Sequence, residues 1–404
     1  MPALLLGGLA LSLLLLRSQA LDVAELVAGL EPQPGAASPS EIVKGALGER
    51  YLLPSELRRL HLKIDLENVS YLKGLQADRW GLACARGIDC IPEIVEPKFE
   101  TVLQADKWLG DGDLVLSVYG NGILKAYPLR VMAWHQVLND YLGDTPVVVI
   151  YSPFTGAGVA FIRPGLQGEP LEFRVSGRLY NADVLLYDRQ TGTLWQGFTG
   201  EPLAGPLVGL FGPLQQLPSV IVPWGEWKRA HPGGQVLARP ERIAIRGRRY
   251  RAKPQRYEDF PYAEYELRRW VGYGVDVDKL KLRGLPPKRR ITGLAIGGEA
   301  LAFLVSSLGT NEGLLELTLG GEPLAVLRAP DGGLRAFRRR LPSGELHLER
   351  HSDELVDVES GRRWDLDGRP LDGGPPLERL PTTPCYWFAW VLFHPETDLF
   401  PLSW

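Results

Sequence analysis

Cysteine and methionine are nearly missing from this chain: 404 residues hold 3 Cys and 2 Met. Cys84 and Cys90 are close enough to close a small disulfide loop in an oxidising compartment, leaving Cys385 unpaired. Without a second pair or a neighbouring His they do not form a zinc pattern. Charge of one sign is missing as well. The 45 basic and 48 acidic residues are well mixed and give a net charge of −3, so the overall balance implies no polyanionic partner. Basic clusters at 246–253, 288–290 and 338–340 lack the interleaved aromatics or recognition helix of a nucleic-acid footprint, and read as solvated strand edges and loops. No nucleic-acid partner is expected. Phosphate-cradling motifs are absent, so no nucleotide cofactor is expected, and composition and motifs together name no cofactor of any kind.

What the chain does hold is 46 Gly and 33 Pro, an apolar fraction of 45% and 23% charge. These values describe a turn-rich globular protein too long for one ordinary core. Low Cys and Met content is thermophile-like. The Leu-rich run Leu4–Leu16, followed by Arg17 and the small-x-small triplet Ser18-Gln19-Ala20, reads as a signal peptide over residues 1–20, with an uncleaved N-terminal anchor as the runner-up. Either reading places the mature chain outside the cytoplasm: periplasmic, secreted, or anchored by residues 4–16. Residues 21–40 read as a Pro-rich linker and 41–113 as an N-terminal wrapping segment whose stretch Ile91–Phe99 is extended and punctuated by proline.

From Leu114 the pattern sharpens. Leu114–Tyr119 and Ile123–Tyr127 flank Gly120-Asn121-Gly122 and predict a β-hairpin. Pro128 then opens a predicted helix with apolar positions Val131, Trp134, Leu138 and Tyr141, stopping at Gly143. His135 and Asn139 would share one edge of it, with Asp140 rotated away. The run Pro146–Tyr151 predicts a strand buried on both faces, antiparallel to that helix and ending in Ser152-Pro153-Phe154-Thr155-Gly156. Strands are expected at 159–163, 171–175 and 184–187. Asp188 with Thr191-Gly192 is turn chemistry, and Trp224–Pro232 a short helix.

The chain also repeats itself. Asp357–Trp364 reproduces Asp188–Trp195, Gly368–Leu371 answers Gly200–Leu203, Leu377–Pro381 answers Leu214–Pro218, and Trp387-x-x-Trp390-x-x-x-His394-Pro395 matches Trp224-x-x-Trp227-x-x-x-His231-Pro232. Upstream, Leu319–Pro323 with Ala329-Pro330 mirrors Leu142–Pro146 with Ser152-Pro153. The expectation is an α+β, β-rich chain: two pseudo-duplicated units of antiparallel or mixed sheet with few short helices, residues 114–237 and 291–404, joined by 238–290 and packed as a pseudo-twofold pair. Residues kept in both copies, including His231, His394, Trp195, Trp227, Trp364 and Trp390, are read as structural. His135 belongs to copy one alone, since the matching stretch near Thr310-Asn311 has no His. Candidate site residues are therefore His135, Asn139, Asp140, Ser152, Thr155, Tyr180, Asn181 and Asp183, with His135 the candidate metal ligand.

The motifs Lys125-Ala126-Tyr127-Pro128-Leu129, Trp134-His135, Ser176–Asn181, Tyr187–Trp195 and Trp387–His394 resemble the DUF3179 proteins, an extracytoplasmic family without an established function. That resemblance implies Tyr-Cys-Pro-Leu-Cys-Gly after the buried strand, where this chain has Tyr151-Ser152-Pro153-Phe154-Thr155-Gly156, and a Glu where Gln136 follows His135. A thiol pair can chelate a soft metal or form a disulfide, and Ser152 and Thr155 can do neither. Three readings follow. One is a non-catalytic exported binding or scaffold protein. The second is a metal-binding or hydrolytic enzyme site centred on His135, which lacks the Gly-x-Ser-x-Gly elbow. The third is a carbohydrate- or envelope-binding module, suggested by 11 Trp and marked by an exposed row among Trp80, Trp108 and Trp270.

Overall fold

Two-residue hairpin turns and alternating burial, not long helices, organise this chain. The computed structural model describes residues 69–71, 91–245, 247–271, 275–308 and 313–401. The signal or anchor, the linker, Cys84, Cys90, Trp80 and Thr310-Asn311 lie outside the described residues. The first sheet is a hairpin of β1 (Leu114–Gly120) and β2 (Ile123–Pro128), as its Gly-flanked turn predicts, with Gly122 at a φ of 73°. β9 (Ser219–Pro223) pairs with the other edge of β1, and β10 (Gln235–Leu237) runs parallel to β2. The strand Phe99–Thr101 closes the far edge against β10.

The helix expected from Pro128 to Gly143 is a correction. The observed helix, α1, is Leu129–His135 and ends at once. Gln136 takes φ 61° and ψ −33°, its carbonyl accepts the amide of Tyr151 at 2.8 Å, and the chain turns back as strand β3 (Val137–Leu142). β3 forms a continuous hairpin with β4 (Thr145–Ser152), from Val137 opposite Ile150 to Leu142 opposite Thr145. The physical reason is competition between two periods. Leu138 and Tyr141 fit helical spacing, but Leu138, Asp140 and Leu142 also alternate inward, while Val137 enters a second core on the other face. Six registered partners on a largely buried neighbour outweigh a weak helical preference. His135 and Asn139 thus share no helix edge.

β5 (Ala157–Ile162) extends this sheet beside β4, and the short strand Gln216–Leu217 closes its edge. A third sheet holds β6 (Phe173–Tyr180), β7 (Asp183–Asp188) and β8 (Leu194–Gln196). β6 carries a bulge at Ser176-Gly177, and Asn181 and Ala182, at φ 51° and 61°, make the turn into β7. Helix α2 (Trp224–Ala230) follows β9. The segment beyond β10 carries α3 (Ala263–Leu267), a single turn.

The C-terminal half has β11 (Arg290–Ile296), β12 (Glu299–Phe303), β13 (Leu314–Leu319), β14 (Glu322–Arg328), β15 (Leu334–Arg338), β16 (Leu348–His351), β17 (Glu354–Asp357), β18 (Arg363–Asp365), β19 (Thr383–Tyr386), α4 (Trp387–Phe393) and β20 (Asp398–Phe400). Its sheets run β19-β11-β12-β20, β13-β14-β15 and β16-β17-β18, with β20 parallel to β12. Trp195, Trp227, Trp364 and Trp390 are all buried, as their repetition in sequence predicts. The largest core joins the halves, packing Tyr151, Phe154 and Ala157 of the first against Cys385, Tyr386 and Trp390 of the second.

Candidate functional site

Two polar constellations emerge from the candidate residues, and they are separate. The first is built around α1. His135, buried at the helix end, has both ring nitrogens engaged. Nδ1 lies 2.6 Å from the carbonyl of Pro92, which can only accept, so Nδ1 carries the proton; Nε2, 2.9 Å from Tyr257 Oη, accepts the phenol. Burial lowers the imidazole to about 4, against a smaller opposing effect of the Pro92 bond, and it is neutral at pH 7. Its geometry is a clamp that fastens the segment Ile91–Pro97 and the turn Pro254–Glu258 to α1. His135 and Asn139 border a cleft of about 250 Å³ beneath that segment. Asn139 acts as a substitute strand: its amide donates to the carbonyl of Phe173 at 2.9 Å and its oxygen accepts the Phe173 N–H at 2.9 Å.

Asp140 faces the opposite side. Its carboxylate accepts Lys125 Nζ at 3.0 and 3.2 Å and Tyr127 Oη at 2.7 Å, all buried. Lys125 also donates to the carbonyl of Tyr141 at 2.7 Å and stands 3.8 Å over the Phe99 ring. The Lys-x-Tyr motif and Asp140 are therefore parts of one satisfied buried network.

The second constellation joins Ser152, Thr155 and Asp183. β4 ends at Ser152, the chain turns through Pro153–Gly156, and Gly156 takes φ 61° with a Cβ position only 2.9 Å from the Tyr386 ring. Only Gly serves there. Thr155 Oγ1 donates to Asp183 Oδ1 at 2.6 Å, and its carbonyl accepts the amide of Tyr386 at 2.8 Å. Ser152 Oγ lies beside the same carboxylate but, like Asp183 Oδ2, has no partner at full hydrogen-bonding geometry. Burial raises the Asp183 carboxyl to about 6, opposed by the two hydroxyls and by the N–H groups of Val184 and Phe198. Gly197 makes room for this carboxylate, since a Cβ there would come 3.0 Å from Oδ2. Tyr180 and Asn181 stand at the turn that delivers Asp183, and Gln196 Nε2 reaches the Tyr180 carbonyl at 3.5 Å.

Sequence pattern did not indicate the other half's contribution. Cys385, buried, has its thiol pushed well up by burial and then by the charge of Asp183. Behind it Tyr386 Oη donates to Glu266 at 2.7 Å, and Arg290 to the same oxygen at 2.6 Å. Tyr257, the partner of His135, sits in the connecting segment, where no periodicity marked it. The one available signal was position: Cys385-Tyr386 directly precede the repeated Trp387 corner.

Asp188 is turn chemistry as read. It accepts the Thr191 N–H at 2.6 Å, the Thr191 hydroxyl at 2.9 Å and Trp195 Nε1 at 2.9 Å. Among the described residues no three His, Cys, Asp or Glu side chains converge in a way that could hold a metal ion. Trp108 is half-buried with its indole bonded to Glu100, so of the three unrepeated tryptophans only Trp270 is exposed among the described residues. No curated protein and no solved structure matched the sequence. A family model described as a protein of unknown function, DUF3179, matches residues 88–397, spanning both constellations and both halves, and the chain belongs to that family.

Proposed function

We propose that this is a non-catalytic binding or scaffold protein of the cell envelope, exported through residues 4–16 and built from a duplicated unit. One observation carries the non-catalytic reading. At the end of β4, where the family resemblance implies a thiol pair, Thr155 spends its hydroxyl on buried Asp183 while His135, the nearest-in-sequence base, spends both nitrogens on Pro92 and Tyr257. A hydroxyl nucleophile needs a base within hydrogen-bond reach and an approach for substrate. Ser152, Thr155 and Asp183 are sealed from solvent, and the side chain nearest the Thr155 hydroxyl is a carboxylate whose pKa burial raises.

The duplication is supported by equivalent side chains at equivalent places. Both halves order their strands alike, with a parallel strand after the Trp-x-x-Trp helix: β9-β1-β2-β10 and β19-β11-β12-β20. Gly200 is pressed on Phe161 and Leu214 as Gly368 is on Phe337 and Leu377. Asn139 bonds the backbone of Phe173 as Glu316 accepts the amide of Leu348. Elemental analysis of the purified full chain tests the reading, with no stoichiometric transition metal expected. A bound metal lost in Asp183→Asn or His135→Ala overturns it. Export is tested separately by a reporter active only outside the cytoplasm, fused after residue 404; an inactive fusion removes the envelope assignment.

A further inference from the structure

A cleft of about 490 Å³ lies between α3 and the segment Gly284–Arg289. Four cations line it, Arg268, Arg269, Lys288 and Arg289, against one acid, Glu266. That acid is committed to Arg290 and Tyr386. Lys288 donates to the carbonyls of Tyr265 and, at 2.8 Å, Arg268, and stands 3.4 Å from the Tyr265 ring; Arg268 pairs with Glu264. Arg269 and Arg289 are exposed and have no ion pair among the described residues. The cleft therefore presents two free guanidinium groups.

At its lip stand two apolar side chains that the fold does not bury. Leu267 is 88% exposed and Trp270 45% exposed, the latter edge-on to Tyr265 at 5.6 Å. Burying a leucine stabilises a fold in proportion to the apolar area taken from water. Leaving one almost bare, beside an indole and free arginines, is the pattern of a surface that meets a bilayer: an aromatic ring at headgroup level, an aliphatic group below it, and cations for the phosphates.

We propose that this face docks peripherally on an anionic phospholipid bilayer, with a headgroup phosphate between Arg269 and Arg289 and with Leu267 and Trp270 in the headgroup–acyl boundary. The proposal rests on the envelope reading for its biological setting. Free arginines supply the long-range, salt-sensitive attraction, and Leu267 with Trp270 the salt-insensitive part.

The test is hydrogen–deuterium exchange of the full chain with vesicles of phosphatidylglycerol and phosphatidylcholine, against pure phosphatidylcholine. Because protection is read locally, insertion of residues 4–16 does not confound it. Slower exchange over 263–271 and 284–290 is expected with anionic vesicles only. Arg269→Glu with Arg289→Glu is expected to weaken vesicle-dependent protection roughly tenfold or more at 0.1 M salt. Leu267→Ser with Trp270→Ser should weaken it at low and high salt alike. Circular dichroism verifies folding, and Arg269→Gln with Arg289→Gln gives a milder second set. Equal protection by phosphatidylcholine, unaltered binding in the charge-reversed variant, or the same protection by inorganic phosphate alone overturns the proposal. An inactive export fusion beside intact vesicle protection would sink only the envelope reading; an active fusion without protection would sink only the docking face.

Discussion

The turn after β4 and the turn after β14 each reach onto the other half of the chain. In the first, Thr155 meets Tyr386 through its carbonyl and Asp183 through its hydroxyl. In the second, Asp331 meets His231 Nε2 at 3.0 Å and Arg335 Nη2 at 2.5 Å, with Arg335 also on Asp367 at 3.1 Å. Each turn engages an acid, Asp183 at the start of β7 and Asp331 within the turn itself, yet the acids behave oppositely. Asp183 faces only neutral donors, so burial wins and its carboxyl rises to about 6. Asp331 faces Arg335 and His231, which overcome burial and hold it far below the usual carboxylate range. One turn is a charge-paired staple; the other holds an under-satisfied carboxyl without a counter-charge.

Breaking the staple should give the largest effect. Asp331→Asn leaves Arg335 buried with one fewer counter-charge, and a loss of about 3–5 kcal/mol in denaturant unfolding is expected. A loss below 1 kcal/mol would show that the seam does not depend on it. Asp183→Asn should do the reverse. A folded-state pKa raised from 3.8 to about 6 means that wild-type stability falls as pH rises through that window, by roughly 3 kcal/mol at about 1.4 kcal/mol per unit. The variant lacks that loss, so its advantage over wild type should grow from pH 4 to pH 7; a pH-independent difference would refute the raised Asp183 carboxyl.

His135 has the opposite sign. Its folded pKa is depressed from 6.5 to about 4, so the unfolded chain takes up a proton first and stability falls as pH drops from about 6.5 to about 4. His394, lowered to about 4 by burial, acts alike. In His135→Gln the acid-side slope of unfolding free energy against pH should flatten by up to one proton; an unchanged slope would mean that His135 is charged in the fold. The smallest effect belongs to Thr155→Val, which removes one donor from Asp183 and should cost about 1 kcal/mol near neutral pH. It should also move the Asp183 titration upward by carboxyl-resolved NMR, and a downward shift would contradict the bond.

Much of the fold was legible in residue patterns. Gly120-Asn121-Gly122 announced its hairpin because positive φ is needed there, and Asp188-Thr191-Gly192 announced its turn because the carboxylate has local amides to accept. Both depend on neighbours within a few residues. The stretch Leu129–Leu142 was misread for the complementary reason. Its apolar spacing fits a helix and a strand equally, and the choice was made by β4, whose pairing the local pattern does not encode. The site divided in the same way. Ser152 and Thr155 were marked by a motif, and Asp183 only as a candidate neighbour, but the bond that unites Thr155 and Asp183 spans two sheets.

Sequence by itself thus determined the family, the β-rich class, the short Trp-x-x-Trp helices and the residues that would matter near the end of β4. These follow from local backbone preference and alternation, which act over a few residues. Tertiary structure alone decided that α1 stops at His135, that His135 is a saturated clamp, and that Cys385 comes to lie near Asp183. Burial, desolvation and hydrogen-bond partners are properties of the assembled core, where residues far apart in the chain set each other's charge.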